Sequence, residues 1–441
     1  MVTVPLGTQA YARRYAGEPE IKLVNRYLEQ NPTNLREHTA LIARPGSTLN
    51  VEVLTGLGRS TFSKVGLFNG DLFVVFGTSL YRVSATGVTP ITGTLANVGN
   101  GYCYATWMKG IGYEFLFISD GQSLWYYTTH AQGTLTLSGG SITDYIGASG
   151  QVIDINGTYY AWSATPNAGT QDGTSAHPFL ARLGSATLPD GFGLLGDPSS
   201  LSALALALNY SGVSGDDYST AITGPNAYVT AVGPQLQTDP LTVVVTAIVD
   251  QAPGNLITTS VYSGSYLAWT GTTLAGGGGS ALTQVPLPGT DVPASLDNVS
   301  SNVLVAVAGS QKFYWILPGA TVIDPLNFAE KESNPDNISQ IVTVGDQAIL
   351  AGDGSTENWY ATGNFDAPFA PVEGRVYARG ALEGTVVLVK DEIVLVGNDG
   401  VVYTIGYTWG NTAQYGVHRI SNHGIEERIR EQIRFLQGYP S

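Results

Sequence analysis

The chain has 441 residues, of which 43% are hydrophobic and only 12% are charged, with a formal net charge of −15 and one cysteine. The hydrophobic content excludes a disordered chain, and the lone Cys103 excludes an intramolecular disulfide framework. An acidic surface repels polyanions, which argues against a nucleic-acid anchor. The sequence shows neither a signal peptide nor a membrane-spanning apolar run, so we expect a soluble protein without a membrane anchor.

The first 60 residues form a polar lead-in. Within it, residues 22–30 have apolar positions at helix-like spacing, but the same stretch also fits an extended strand. A turn at 44–47 then opens the first strand-rich part of the chain.

A short pattern occurs five times, as an apolar strand, a Gly/Asp/Ser turn and a second strand with a Tyr or Trp. The copies are 71–81, 114–125, 302–314, 346–359 and 391–403. The first two start 43 residues apart and the last three 44 and 45 apart. A period of about 40–45 residues with several strands per unit is typical of a β-propeller blade. Asp-Gly pairs at 120–121, 353–354 and 399–400 predict type I′ hairpin turns.

The second and third copies start 188 residues apart. Subtracting one period leaves an insertion of roughly 144 residues. The fold class is therefore all-β, a β-propeller of five or more blades with an inserted, mostly β (small α+β) domain. The predicted divisions are a lead-in at 1–60, propeller at 61–130, an acidic inserted domain at 131–297, propeller at 298–416 and a C-terminal helical tail at 417–441.

Inside the predicted insertion, residues 199–209 read as a short Leu/Ala helix that a serine caps. Strands are predicted at 218–223, 227–231, 241–250 and 256–262. At the end of the chain, isoleucines at i, i+4 and i+8 predict an amphipathic helix over 425–433. Its arginines Arg428, Arg430 and Arg434 fit either an acidic partner surface or ordinary solvated charge.

Four stretches of this sequence resemble the tail hub and nozzle proteins of short-tailed bacteriophages, the packaged-DNA stabilisation family. They are 24–29 with 41–46, 70–83, 328–338 with 357–369, and 418–426. Members of the family continue past the last stretch into further strand-forming sequence, whereas this sequence stops at Ser441. The last blade is then built from the N-terminal region, supplied by another chain, or missing from an open ring.

The resemblance implies a structural virion protein and not an enzyme. Such proteins form a six-fold ring below the portal and its adaptor, retain the packaged DNA and form the duct for its ejection. The implied partners are other copies of the chain in a hexamer, the portal, the adaptor, other tail proteins and, transiently, genomic DNA. The implied location is the virion tail, after assembly in the host cytoplasm, and no cofactor is implied.

The charge of the predicted insertion is one-sided. From His130 to Asp297 there are eleven Asp, no Glu and one basic residue, Arg182. One interpretation is that the charge serves solubility alone. The other is a low-friction wall for passing DNA, because each Lys or Arg on a phosphate would add salt-sensitive grip. On that interpretation Asp216, Asp217 and Asp239 line or rim the duct.

The alternative function is a host-glycan-binding or glycan-cleaving tail propeller. Residues 119–125 partly resemble an Asp-box turn, and a glycosidase needs two carboxylates at one cleft. The candidates Asp120, Asp353, Glu357 and Asp399 all fall at the repeated hairpin position, where a turn role explains them. The sequence has no nucleophile elbow, zinc spacing or phosphate-binding glycine loop, so we predict no catalytic, cofactor or metal site.

Overall fold

The computed structural model describes residues 26–30, 39–43, 67–68, 71–84, 87–96, 103–110, 113–137, 151–167, 169–183, 198–234, 241–250, 252–263, 266–279, 281–331, 333–364, 368–389, 392–407 and 415–436. These residues form seven four-stranded sheets, one two-stranded sheet and two α-helices. Asp239 and most of the lead-in lie outside the described residues.

Five of the four-stranded sheets are consecutive propeller blades, named A to E. Blade A contains β3 (Leu67–Phe68), β4 (Asp71–Phe76), β5 (Ser79–Ser84) and β6 (Gly87–Ile91). Blade B contains β7 (Tyr104–Gly110), β8 (Tyr113–Ser119), β9 (Leu124–Tyr127) and β18 (Thr283–Val285). Blade C contains β19 (Pro293–Val299), β20 (Asn302–Val307), β21 (Lys312–Ile316) and β22 (Phe328–Glu330).

Blade D contains β23 (Ile338–Val344), β24 (Gln347–Gly352), β25 (Thr356–Ala361) and β26 (Phe369–Tyr377). Blade E contains β27 (Val387–Val389), β28 (Glu392–Val396), β29 (Val402–Tyr407) and β30 (Tyr415–Arg419). All strand pairs within the five blades are antiparallel. The β-propeller fold is thus confirmed, and each of the five sequence copies forms the two middle strands of one blade.

Neighbouring blades bury their apolar faces against each other, as the repeat predicts. Separate clusters join A to B, B to C, C to D and D to E. At the C–D junction, for example, the rings of Phe313 and Trp359 meet edge to face with centroids 5.2 Å apart. No apolar cluster of the described residues joins blade E to blade A, and the three side chains of β27 stay 44–50% exposed.

Hydrogen bonds of constant spacing also tie the first strands of the blades together. The Ser295 hydroxyl of blade C accepts from the Ile341 N–H of blade D at 3.0 Å. The Gln340 amide of blade D donates to the Val386 carbonyl of blade E at 2.9 Å and accepts from its N–H at 3.0 Å. These bonds span 46 residues, slightly more than the period that the sequence copies give.

One buried carboxylate serves three blades. Asp297 on β19, only 2% exposed, accepts from the Thr106 hydroxyl of blade B at 3.1 Å and from the Thr343 N–H of blade D at 2.9 Å. Its own neighbour Asn298 donates a further backbone bond at 2.8 Å. Asp297 is therefore part of the propeller, although the sequence prediction counted it in the insertion.

The segment between β9 and β18, residues 128–282, is called the inserted segment below. Its first sheet contains β10 (His130–Leu137), β14 (Val229–Val232), β15 (Leu241–Asp250) and β17 (Leu267–Trp269). Its second contains β11 (Val152–Ile155), β12 (Thr158–Ser163), β13 (Phe179–Arg182) and β16 (Thr259–Ser263). Helix α1 (Pro198–Asn209) and a short 3-10 helix (Ala252–Leu256) complete it.

One apolar cluster holds the inserted segment together, with Leu135, Ile153, Leu204 and Val243 all inaccessible to solvent. The strand predicted at 218–223 is wrong, because Tyr218 makes only isolated bridges and a turn follows at 220–221. The strand predicted at 256–262 begins later, at Thr259, since Leu256 ends the 3-10 helix. The predicted boundary at 297 is also too late, since β18 and β19 pair in blades B and C. Alternating apolar residues indicate strands, but they do not say which sheet a strand joins.

The predicted type I′ turns are wrong at all three Asp-Gly pairs. Only Gly121 and Gly400 have positive φ, at 83° and 74°, while their aspartates and the 353–354 pair do not. A type I′ turn needs positive φ at both central residues, and that geometry occurs instead at Asn156-Gly157 and at Ser300-Ser301. The aspartate side chain organises the turn itself: Asp120 Oδ1 accepts from the N–H groups of Gln122 and Ser123.

The two ends of the described chain differ in structure. Near the start, β1 (Arg26–Gln30) and β2 (Thr39–Ala43) form an antiparallel hairpin, so this part of the lead-in is extended and not helical. At the end, helix α2 (His423–Leu436) follows blade E directly. No helix of the described residues is long and apolar enough to cross a membrane.

Candidate functional site

The inserted segment carries the most one-sided charge in the protein. It contains nine Asp, no Glu and the single basic residue Arg182. The backbone N–H of Arg182 donates to the Asp217 carbonyl at 2.8 Å, which joins β13 to the loop after α1. The candidate duct residues Asp216 and Asp217 lie together on that loop.

Asp216 and Asp217 differ in what their side chains do. The Asp217 carboxylate accepts from the Val213 N–H at 2.7 Å and is partly buried, so it braces its own loop. Asp216 is exposed to solvent. Only Asp216 of the adjacent pair is therefore free of an evident structural task, and Asp239 lies outside the described residues.

The carboxylates considered for glycan hydrolysis occupy turns and blade interiors. Asp120 also accepts from the Ala96 N–H at 2.8 Å and from the Trp125 indole at 2.9 Å. Buried Glu357 accepts from the Asn334 N–H at 3.0 Å, and Asp399 accepts from the Tyr403 hydroxyl at 2.6 Å. Asp353 is exposed. Asp120 and Asp399 accept N–H bonds within their own turns, as the turn interpretation predicts. For Glu357 that interpretation is wrong, because Glu357 lies inside strand β25 and bonds a residue 23 positions away.

Metal-binding geometry does not occur among the described residues, which contain no group of three or more His, Cys, Asp or Glu side chains that could hold an ion. Cys103 is buried at 4% exposure, consistent with a small core side chain. His130, in the core of the inserted segment, bonds the Ala247 carbonyl through Nδ1 at 2.8 Å.

A buried lysine connects blade C to blade D, and the sequence analysis did not identify it. Lys331, fully buried, donates to the Asp336 carboxylate and to the hydroxyl and carbonyl of Ser355, the latter two at 2.6 and 3.1 Å. Burial alone raises the pKa of Asp336, but hydrogen bonds from Lys331 and from the N–H groups of Gly354 and Ser355 outweigh it and lower the pKa. The sequence signal is weak, because a lysine is usually exposed.

Helix α2 is fixed to blade E through one buried carboxylate. Glu426, 1% exposed, accepts two bonds from the Arg419 guanidinium at 2.7 and 2.8 Å and one from the Ser421 hydroxyl at 2.7 Å. Burial raises the pKa of Glu426, but the Ser421 and Arg419 bonds lower it below its ordinary value. Arg430 adds a bond to the Asp399 carbonyl at 2.9 Å. Of the predicted arginines, Arg428 and Arg434 stay exposed.

The five blades and the buried hydrogen bonds between them define a β-propeller. Comparison with known proteins also gives a β-propeller. Residues 255–433 match the model of the phage stabilisation family, described as the β-propeller of bacteriophage P22 Gp10. The match, over less than half of the chain, confirms the resemblance to the tail hub and stabilisation family and supports a structural phage protein. It spans the end of the inserted segment, strand β18 of blade B, blades C to E and most of α2. No curated protein matches the sequence.

Solved structures with a similar fold are distant. The β-propeller domain of Cps50 (Swd1) from Myceliophteria thermophila is 9% identical, covers 82% of this chain and 86% of its own, and has a TM-score of 0.31. YCF48 bound to a D1 peptide is 10% identical, with 93% and 88% coverage and a TM-score of 0.28. The Dos1 propeller is 10% identical, with 80% and 73% coverage and a TM-score of 0.25. Likenesses this weak say nothing about function.

Proposed function

We propose that the protein is a tail nozzle or hub, a hexameric ring below the portal and adaptor that retains packaged DNA and forms the duct for its ejection. The observation that carries this proposal is the family match over residues 255–433. A propeller suits the role mechanically, because radial packing leaves only short protected edges and each blade supports the next. The buried locks at Asp297 and Lys331 add polar ties between blades.

The inserted segment would supply part of the duct wall. DNA under pressure has to slide without sticking, and phosphate contacts from Lys or Arg would hold it. Nine Asp against one Arg repel the DNA backbone within a Debye length, about 8–10 Å at physiological salt. Exposed Asp216 is the described residue best suited to this role, with Asp239 as a second candidate.

Locating the chain in purified particles tests the role in the tail. We expect six copies in a ring on the tail axis, directly below the adaptor, in averaged images of particles labelled at this protein. Peripheral copies, or a two-fold dimer in place of a ring, would contradict the proposal.

An ejection assay tests the duct wall separately. The double change Asp216→Lys and Asp239→Lys should slow DNA ejection, more strongly at low salt, and leave particle assembly intact. Asp217 is left unchanged because its side chain braces the loop. The control is Asp353→Lys on exposed propeller surface, which should eject at the wild-type rate. Normal ejection by the double variant would remove the duct role and leave solubility as the explanation of the charge.

The glycan-directed alternative makes a different prediction. A glycan-cleaving propeller would release sugar from host surface polysaccharide, and a glycan-binding one would hold it. The turn roles of Asp120 and Asp399 and the buried hydrogen bond of Glu357 count against a catalytic pair. Turnover of host polysaccharide by the purified chain would favour the alternative.

A further inference from the structure

Around the start of helix α2, two isoleucines and one arginine are exposed to solvent. Ile420 and Ile425 are 55% and 45% exposed, and Arg428, one helical turn after Ile425, is exposed as well. These three residues are called the basic patch. Helix α2 cannot rotate about its axis to bury them, because Arg419 and Ser421 hydrogen-bond Glu426 on the side that faces blade E. These bonds therefore keep the basic patch exposed to solvent.

The inserted segment presents an aromatic surface with a negative edge. The rings of Tyr159 and Tyr262 meet edge to face, 5.2 Å apart, and Tyr262 is 57% exposed. Asp154 pairs with Tyr159 across β11 and β12, and the Tyr159 N–H bonds the Gly173 carbonyl, which places exposed Asp172 beside the same strand. Tyr159, Tyr262, Asp154 and Asp172 are called the aromatic patch.

Asp172 is suited to meet a cation. The hydroxyl and the N–H of Thr174 both donate to its carboxylate, at 2.7 and 3.0 Å. These two bonds lower the pKa of Asp172, so the side chain is ionised at neutral pH. The inserted segment has only one basic residue, Arg182, so it offers few cations of its own.

The two patches complement each other in character. Each has a small apolar or aromatic centre and a charged edge, and the two edges have opposite signs. Ile420 and Ile425 in one patch and Tyr262 and Asp172 in the other are exposed within one chain, so neither patch covers the other there. Two different complementary patches on one chain make a head-to-tail contact, which closes into a ring when the rotation between copies allows it.

We propose that the basic patch of one copy docks on the aromatic patch of a second copy, and that this contact joins neighbours in the ring. The proposal rests on the ring of the proposed function and names its interface. Ile420 and Ile425 would pack on the tyrosine rings, while Arg428 pairs with Asp172. Opposite charges at such a rim set orientation and speed association.

Charge reversal in the full-length chain tests this pairing by sedimentation over a range of protein and salt concentrations. Arg428→Asp and Asp172→Arg should each weaken self-association by about tenfold or more, and the double reversal should restore at least part of it. The matched control is Asp216→Arg, the same change elsewhere on the inserted segment, which should associate as the wild type does. With a wild type that self-associates, single variants that associate as strongly, or a double variant with no recovery, would overturn the pairing.

Assembled tails provide a second readout, because ring formation can depend on the portal. In tails carrying Arg428→Lys, a carbodiimide should couple the new amine to an Asp172 or Asp154 peptide of another copy. A six-copy ring in which no such coupling occurs would overturn this interface and leave the proposed function standing. Particles without any ring of this chain would overturn the proposed function itself.

Discussion

Replacing Asp297 by alanine tests the inter-blade hydrogen bonds where one side chain serves three blades. The change removes the acceptor of the Thr106 hydroxyl on β7 and of the Thr343 N–H on β23. It leaves the backbone of blade C intact, since Asp297 lies inside the regular strand β19. Any loss of stability therefore reports on the polar contact between blades.

The expected magnitude follows from the number of bonds. A hydrogen bond to a charged group contributes about 1.5–3 kcal/mol, and a buried donor left unpaired costs about 1–3 kcal/mol. Alanine also removes the cost of burying a carboxylate, which offsets part of the loss. We therefore expect Asp297→Ala to lower the free energy of unfolding by about 2–4 kcal/mol.

Urea unfolding followed by tryptophan fluorescence measures this change, since the chain has seven Trp. The midpoint should fall while the dependence on urea concentration stays the same, because the surface exposed on unfolding is unchanged. The control Asp353→Ala removes an exposed carboxylate and should shift stability by no more than about 0.5 kcal/mol. An Asp297→Ala variant that unfolds at the wild-type midpoint would refute the idea that this carboxylate ties the blades.

Three further predictions concern the Lys331–Asp336 ion pair, the turn at Ser300-Ser301 and the attachment of helix α2 to blade E through Glu426. Because the folded-state pKa of Asp336 is lowered, its contribution to stability is present above the unfolded pKa and is lost as pH falls through the folded pKa; Asp336→Asn should flatten this acid limb of urea midpoints, and an unchanged limb would contradict it. Ser301→Gly should raise the free energy of unfolding by about 1 kcal/mol or less. The change relieves about 1–2 kcal/mol of left-handed strain at φ of 64°, offset by about 0.4–1 kcal/mol of added freedom in the unfolded chain, whereas the control Ser310→Gly, at a position without positive φ, should not raise it. Glu426→Gln should release α2 from blade E, so amide hydrogen exchange in 423–436 should become faster than in the wild type while exchange in β28 stays the same. Equal protection of 423–436 in variant and wild type would argue against this attachment.

The blade repeat was predictable because its signal is local. Each copy has a strand, a turn and a second strand within a dozen or so residues, and apolar residues recur where a strand faces a neighbouring blade. The same locality made helix α1 and strand β15 readable from the sequence, and both appear at the predicted place. The turn type could not be predicted from the sequence. An Asp-Gly pair indicates a type I′ turn, but the Asp120 side chain accepts hydrogen bonds from the N–H groups that follow it and favours a different turn.

The sequence predicted that the inserted segment is acidic, but it did not predict which of its carboxylates are exposed. Counting residues located the acidic segment, but composition does not distinguish exposed Asp216 from Asp217, which braces a loop, or from Asp297, which is buried between blades. Each of these roles depends on a partner that only folding brings near. The same holds for the exposed ring of Tyr262, which falls inside the strand predicted at 256–262.

The sequence by itself determined the repeated strand pairs, the blade period and the resemblance to the phage stabilisation family, because alternation and repetition are properties of neighbouring residues. The tertiary structure decided which strands share a sheet. Strand β18 completes blade B beside β9 after the whole inserted segment, and no local pattern encodes a pairing over that distance. It also decided where charges are buried. Lys331 and Asp297 lie inside the propeller because partners from adjacent blades satisfy their hydrogen bonds, and burial of an ion is tolerated only where such partners converge.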